Sequence, residues 1–166
     1  MRLNVKRIIN TPGERLDFRF EMDLSDVDFG GVCPAVRPVS VVGQVRNAAG
    51  VLLLDMEVAT VLQSVCDRCA REFENDVSIP FSAMLAEQLE NGENDEIVLL
   101  EGDEVDLGEL ARTVFILGMD TKTLCSEDCK GLCAKCGANL NEGPCCCKAD
   151  IDPRWAALGA LLNRDE

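Results

Sequence analysis

The sequence predicts an α+β fold: a mostly antiparallel β-sheet or open barrel with a covering helix, plus a small cysteine-rich tail ending in a short helix. Three observations carry this expectation. Apolar and charged residues alternate strictly from Leu16 to Met22, the period of a half-buried strand. Asp106-Leu107-Gly108-Glu109 has the Asp-x-x-Glu form of a capping box ahead of an apolar helical stripe. Cysteines crowd between Cys125 and Cys147, beyond the last strand-like segment. Residues 1–121 are accordingly expected to form a β-rich domain with an acidic segment and a helix. Residues 122–166 are expected to form a cysteine-rich tail with a C-terminal helix. At 166 residues and 47% hydrophobic, the chain is sufficient for a real core.

Taken in order, an early strand is expected near Leu3–Ile9, turning at Thr11-Pro12-Gly13. Residues 24–36, with Gly30-Gly31 and Pro34, read as a loop. Pro38–Arg46 and Val51–Leu62 read as a hairpin around Asn47-Ala48-Ala49-Gly50. Early in its second arm, apolar residues fall on both faces, which places that arm centrally in the sheet. Glu72–Phe81, with Phe73, Val77, Ile79 and Phe81, reads as a returning strand, and a short helix or loop follows from Ser82. Leu107, Leu110, Val114 and Leu117 recur at helical spacing with Ala111 on the same face, so this helix covers one face of the sheet. In the tail, Asp152 is a good N-cap and Pro153 a good first helical residue. Trp155, Leu158, Leu161 and Leu162 give that last helix an apolar face that packs back on the domain.

Charge and composition exclude several functions. The formal net charge is −14, and residues 49–121 hold three bases against seventeen acids. Ten acids fall between Glu87 and Glu109, and no Lys or Arg occurs from Glu72 to Ala111. Such a field repels phosphate and attracts basic surfaces, so it is either a solvating loop or a docking surface for a basic partner. Histidine is absent, which removes Ser/His and Cys/His dyads and every histidine-containing zinc site. With no tyrosine and one tryptophan, there is no aromatic platform for stacking bases. No apolar stretch approaches the ~20 residues of a membrane span. The opening MRLNVKRIIN lacks the apolar core of a secretion signal. A cytoplasmic location follows as the expectation, where thiols stay reduced and many cysteines point to metal before disulfides.

The chain has ten cysteines. Cys133-Ala134-Lys135-Cys136-Gly137 is a zinc-knuckle pattern: two intervening residues let both sulfurs reach one ion at ~2.3 Å. Gly137 tolerates the positive φ that such a turn needs. Cys145-x-Cys147 supplies a second pair, so Cys133, Cys136, Cys145 and Cys147 form the first candidate tetrad, with Cys125, Cys129 and Cys146 competing as ligands. Cys66-Asp67-Arg68-Cys69 joins Cys125 and Cys129 in a second four-thiolate site; the competing readings are a redox-active pair and two inert thiols. Setting aside Cys33 and Cys146 leaves eight cysteines, enough for two sites. A structural zinc is expected rather than a catalytic one, since surplus thiolates fill the sphere and no carboxylate pair has acid–base spacing. The metal then supplies the fold of a tail too small for its own core.

These residues resemble the YceD family. The resemblance is carried by Cys66-Asp67-Arg68-Cys69, Asp103-Glu104 before Asp106-Leu107-Gly108-Glu109-Leu110, and Leu124-Cys125-Ser126-Glu127-Asp128-Cys129-Lys130-Gly131-Leu132-Cys133. Cys136-Gly137-Ala138-Asn139-Leu140-Asn141 and Asp152-Pro153-Arg154 extend it. It implies a role in accumulation of large-subunit ribosomal RNA, in a family with no established enzymatic activity; neither a membrane nor a small-molecule substrate is expected as a partner. The expected protein is a non-enzymatic ribosome-biogenesis factor holding one or two structural zinc ions and binding a ribosomal protein, an assembly factor or an RNA-processing partner. If RNA is touched, Lys130, Lys135, Lys148 and Arg154 around the tail are the residues to make that contact. The alternative is a thiol-based redox protein or redox-switched chaperone using Cys66 and Cys69.

Overall fold

The computed structural model describes residues 1–28, 35–88 and 97–147. Their elements are β1 (Arg2–Asn4), α1 (Lys6–Ile9), β2 (Arg15–Met22), β3 (Val39–Ala48), β4 (Val51–Val65), β5 (Glu72–Ala86), β6 (Ile97–Leu99), β7 (Glu104–Asp106) and α2 (Leu107–Gly118). The main sheet has the order β2-β3-β4-β5-β6. Its first four strands are antiparallel and β6 runs parallel to β5, so it is an open mixed sheet and not a closed barrel. β1 and β7 form a separate antiparallel pair. Among the described residues, no helix is long and apolar enough to cross a membrane.

Register turns the period-2 pattern into a core. Three rows cross the four antiparallel strands: Leu16-Val45-Leu54-Ala83, Phe18-Gly43-Met56-Phe81 and Phe20-Val41-Val58-Ile79. Their side chains share one face, and the alternate residues Arg15, Asp17, Arg19 and Glu21 stay exposed. Gly43 is required in the middle row, because a Cβ there would lie 2.6 Å from the Phe18 ring. β4 lies at the centre, as its apolar content predicts, with Leu52, Leu54, Met56, Val58 and Leu62 buried.

The β3–β4 hairpin turns through Ala49 (φ 54°) and Gly50 (φ 93°), the double positive-φ geometry that matches strand twist. Asn47 before it is the one buried polar residue among those described. Its amide donates to the carbonyls of Ile8 (2.7 Å) and Ile9 (2.8 Å), and its oxygen accepts from Gly50 N–H (2.8 Å). That side chain pins α1 to the hairpin. α2 starts at an Asp106 N-cap whose carboxylate accepts from the N–H groups of Gly108 and Glu109. The helix packs against β4 and β5, burying Leu107, Ala111, Val114 and Phe115.

Three local expectations are corrected. The segment Leu3–Ile9 is not one strand: after β1, Val5, Ile8 and Ile9 take helical spacing, and Val5 and Ile8 are fully buried. No helix or loop begins at Ser82, because β5 continues to Ala86 along β4. Leu117 is 80% exposed, and Phe115 takes the inward position instead. Cys33 and the expected C-terminal helix from Asp152 lie outside the described residues.

Candidate metal centres

The β4–β5 hairpin carries the first cysteine pair at its tip. Val65 pairs with Glu72, and Cys66-Asp67-Arg68-Cys69 fills the turn between them. Cys66 N–H donates to Arg71 O (2.9 Å), and Ala70 N–H donates to Cys66 O (2.8 Å). The second pair repeats this pattern: Cys133 N–H donates to Ala138 O (2.8 Å) and Gly137 N–H to Cys133 O (2.8 Å). The residue after each second cysteine has positive φ, Ala70 at 56° and Gly137 at 71°. The two turns are therefore the same knuckle, one with glycine at the strained position and one without.

The chain brings eight cysteines into two groups. Cys66, Cys69, Cys125 and Cys129 form one, and Cys133, Cys136, Cys145 and Cys147 the other, with all sulfurs in each group within 4.8 Å of one another. In the first group the Cys66–Cys129 sulfurs lie 3.8 Å apart and the Cys69–Cys125 sulfurs 3.6 Å apart. A tetrahedron of thiolates ~2.3 Å from one ion has edges of about 3.8 Å, whereas a disulfide needs ~2.05 Å. The donor set and spacing thus fit a tetrahedral thiophilic ion, and each group can hold a metal. Cys146 is exposed and belongs to neither group.

Hydrogen bonds from both directions dock the tail on the hairpin tip. Asp67 N–H donates to Thr123 O (2.9 Å), and Thr123 N–H returns to the Asp67 carboxylate (2.6 Å). The Arg68 guanidinium donates to the carbonyls of Cys129 (2.9 Å) and Glu127 (3.3 Å), while Leu132 N–H donates to Arg68 O (3.0 Å). Asn141, from the loop between Cys136 and Cys145, donates its amide to the Cys129 sulfur (3.3 Å). Spacing did not flag Arg68 or Asn141 as part of this site; the only sequence signal was their place inside the two motif segments.

Peptide N–H groups and burial set the thiol ionisation. The Cys66 thiol is lowered to about 6, first by the N–H of Cys125 and then, against burial, by those of Cys69 and Arg68. Cys133 is likewise lowered to about 6 by the N–H groups of Cys136 and Lys135. The Asn141 amide lowers Cys129. Burial pushes Cys125 up to about 12. Cys147 also rises to about 12, first through the adjacent Cys136 thiol and then through burial. In each group, then, one thiol is eased toward the thiolate and another is held away from it.

The predicted basic contacts divide. Lys130 and Lys135 are exposed, Lys130 next to Cys129 and Lys135 inside the second knuckle. Lys148 and Arg154 lie outside the described residues. Part of the acidic segment is spent within the fold: Arg2 pairs with Glu101 (3.3 Å) and Asp106 (3.2 Å), and Lys6 with Asp103 (3.3 Å). These pairs clamp β1 and α1 beside β7 and leave less free negative charge there than the sequence count suggests.

The class of protein is thus an open sheet whose central hairpin meets a cysteine-rich segment at a cluster of four thiols. The chain belongs to the YceD family, described as large ribosomal RNA subunit accumulation protein YceD, whose model matches residues 54–162. It is 28% identical over 164 residues to the large ribosomal RNA subunit accumulation protein YCED homolog 1, chloroplastic, of Arabidopsis thaliana, covering 79% of this chain and 50% of that protein. The Zea mays protein of the same name is 29% identical over 143 residues, covering 67% of this chain and 49% of the relative. An uncharacterised Mycobacterium bovis protein is 27% identical over 124 residues, covering 72% and 60%. The chain thus spans about half the length of the plant relatives it matches. No solved structure matches it.

Proposed function

We propose that this chain is a non-enzymatic factor supporting accumulation of large-subunit ribosomal RNA, and that its two cysteine groups each hold a structural zinc ion. The observation that carries the metal reading is the first group, whose sulfurs stand 3.6 and 3.8 Å apart across the hairpin and the tail. Zinc there fixes the tail against the sheet and presents both as one rigid surface. The ribosomal role rests on membership of the YceD family and on the names of the plant relatives. A basic ribosomal or RNA-processing protein is the partner that suits a chain of net charge −14. Direct RNA contact, where it occurs, falls to Lys130 and Lys135, with Lys148 and Arg154 as further candidates.

Depletion of the protein tests the reading. The ratio of large- to small-subunit ribosomal RNA should fall and be restored by the wild-type chain, but not by a Cys66→Ser, Cys129→Ser double variant. An unchanged ratio on depletion overturns the ribosomal role. Charge reversal at Lys130 and Lys135 should weaken recovery of RNA-containing complexes in a pull-down, and undiminished recovery removes direct contact at those residues.

A further inference from the structure

The two cysteine groups differ in what surrounds them. In the first, Cys66, Cys69 and Cys129 are 2%, 6% and 3% exposed, and Phe73 and Leu124 pack against them. In the second, Cys136 is exposed and Cys133, Cys145 and Cys147 are half-buried. Among the described residues from Lys130 to Cys147, no hydrophobic side chain is buried. Solvent therefore reaches the second group directly, and only thiols and a few loop hydrogen bonds hold that segment together. Thiol oxidation depends on access, and access is what differs between these two otherwise similar knuckles.

We propose that the second cluster is an oxidation site: a hydroperoxide oxidises Cys136, and a disulfide closes within Cys133, Cys136, Cys145 and Cys147 while the first cluster stays intact. The Cys136 thiolate attacks the distal peroxide oxygen, the O–O bond breaks, and the leaving alkoxide or hydroxide takes up a proton as alcohol or water. A neighbouring thiolate, within 4.8 Å, then attacks the sulfenic sulfur. The S–S bond forms, the S–O bond breaks, and hydroxide leaves and is protonated to water. Two thiolates lose two electrons in total, one hydroperoxide gains them, and two protons are consumed. The cluster thereby loses two of its four ligands and releases its ion. Residues 133–147 then loosen while the hairpin tip stays tied to Cys125 and Cys129. The metal release rests on the zinc reading above; the order of thiol oxidation rests on exposure alone.

The test uses the full chain purified without chelator, with bound zinc counted before any oxidant is added. Rising doses of hydrogen peroxide are followed by alkylation and peptide mass spectrometry, with released zinc read by a chromogenic chelator. The expected result is loss of half the bound zinc and a disulfide joining Cys136 to another thiol of its group, while Cys66 and Cys69 remain reduced. Cys136→Ser should abolish that disulfide, Cys146→Ser should leave it in place, and dithiothreitol should reverse it. Oxidation of Cys66 and Cys69 at the same dose, or oxidation confined to Cys146, overturns the proposal. Protein that starts without zinc but loses its thiols in the expected order contradicts the metal reading and leaves the oxidation site standing.

Discussion

Asn141 donates its side-chain amide to the sulfur of Cys129 across 3.3 Å, although it belongs to the loop between Cys136 and Cys145. Its oxygen accepts from Lys130 N–H at 2.8 Å, so one side chain holds both the sulfur and the backbone beside it. Partners that orient a ligand in this way commonly carry 10–100-fold (about 1.4–2.8 kcal/mol) in metal affinity. Asn141→Leu should therefore weaken zinc at the first cluster by about 10-fold or more. Asn141→Asp should weaken it further by placing a carboxylate beside the thiolates. Competition with a chelator of known affinity measures this, and unchanged affinity in both variants contradicts the role.

Ala70 occupies a left-handed conformation (φ 56°) at the position where the second knuckle has Gly137. That conformation costs a residue with a Cβ about 1–2 kcal/mol. After the entropy glycine loses on folding, Ala70→Gly should stabilise the metal-loaded protein, and Gly137→Ala destabilise it, by about 0.5–1 kcal/mol each. Denaturant unfolding checks both signs; a destabilising Ala70→Gly contradicts the geometry.

Asn47 is 2% exposed and makes three hydrogen bonds that join α1 to the β3–β4 turn. Asn47→Leu leaves the carbonyls of Ile8 and Ile9 and the Gly50 N–H without that partner, at a cost of about 3 kcal/mol. The expected readout is a large fall in the unfolding midpoint with the zinc content of the folded protein unchanged. A shift within a few tenths of a kcal/mol would show that Asn47 does not pin α1.

Asp106 links pH to stability. Its carboxyl lies below the usual value of 3.8, chiefly because the Glu109 N–H binds the charged form, with the Met1 ammonium, Arg2 and the Gly108 N–H contributing. A group lowered on folding stabilises the fold above its unfolded value, and that contribution is lost as pH falls through the folded value. Stability should therefore decline from just above pH 4 downward, and Asp106→Asn should flatten that limb of the curve. Identical acid limbs in the two proteins contradict this assignment.

Much of the sheet was legible because period-2 patterning and the turn at Ala49-Gly50 are local signals. The misses have local causes too. Val5, Ile8 and Ile9 show helical spacing, but over too few residues to outweigh the apolar run around them. The expected strand ends at Phe81, just past Pro80, with a helix or loop from Ser82, but the observed one runs on to Ala86. Proline is tolerated there because β6 pairs only with Met84–Ala86, leaving β5 without a second described neighbour at Pro80. The Cys-x-x-Cys pairs were visible in sequence, but their grouping is set by contacts between distant segments. Asp67 meets Thr123 and Arg68 meets Cys129 only in the folded chain. Asn141 carries no spacing signal that ties it to Cys129.

The central claim is that the two cysteine groups are metal sites, and metal content with thiol titration tests it most directly. Protein purified without chelator should carry two zinc ions per chain. Cys66, Cys69, Cys125 and Cys129 should resist alkylation until the zinc is removed. Metal-free protein whose Cys66 and Cys69 react at once would contradict the account.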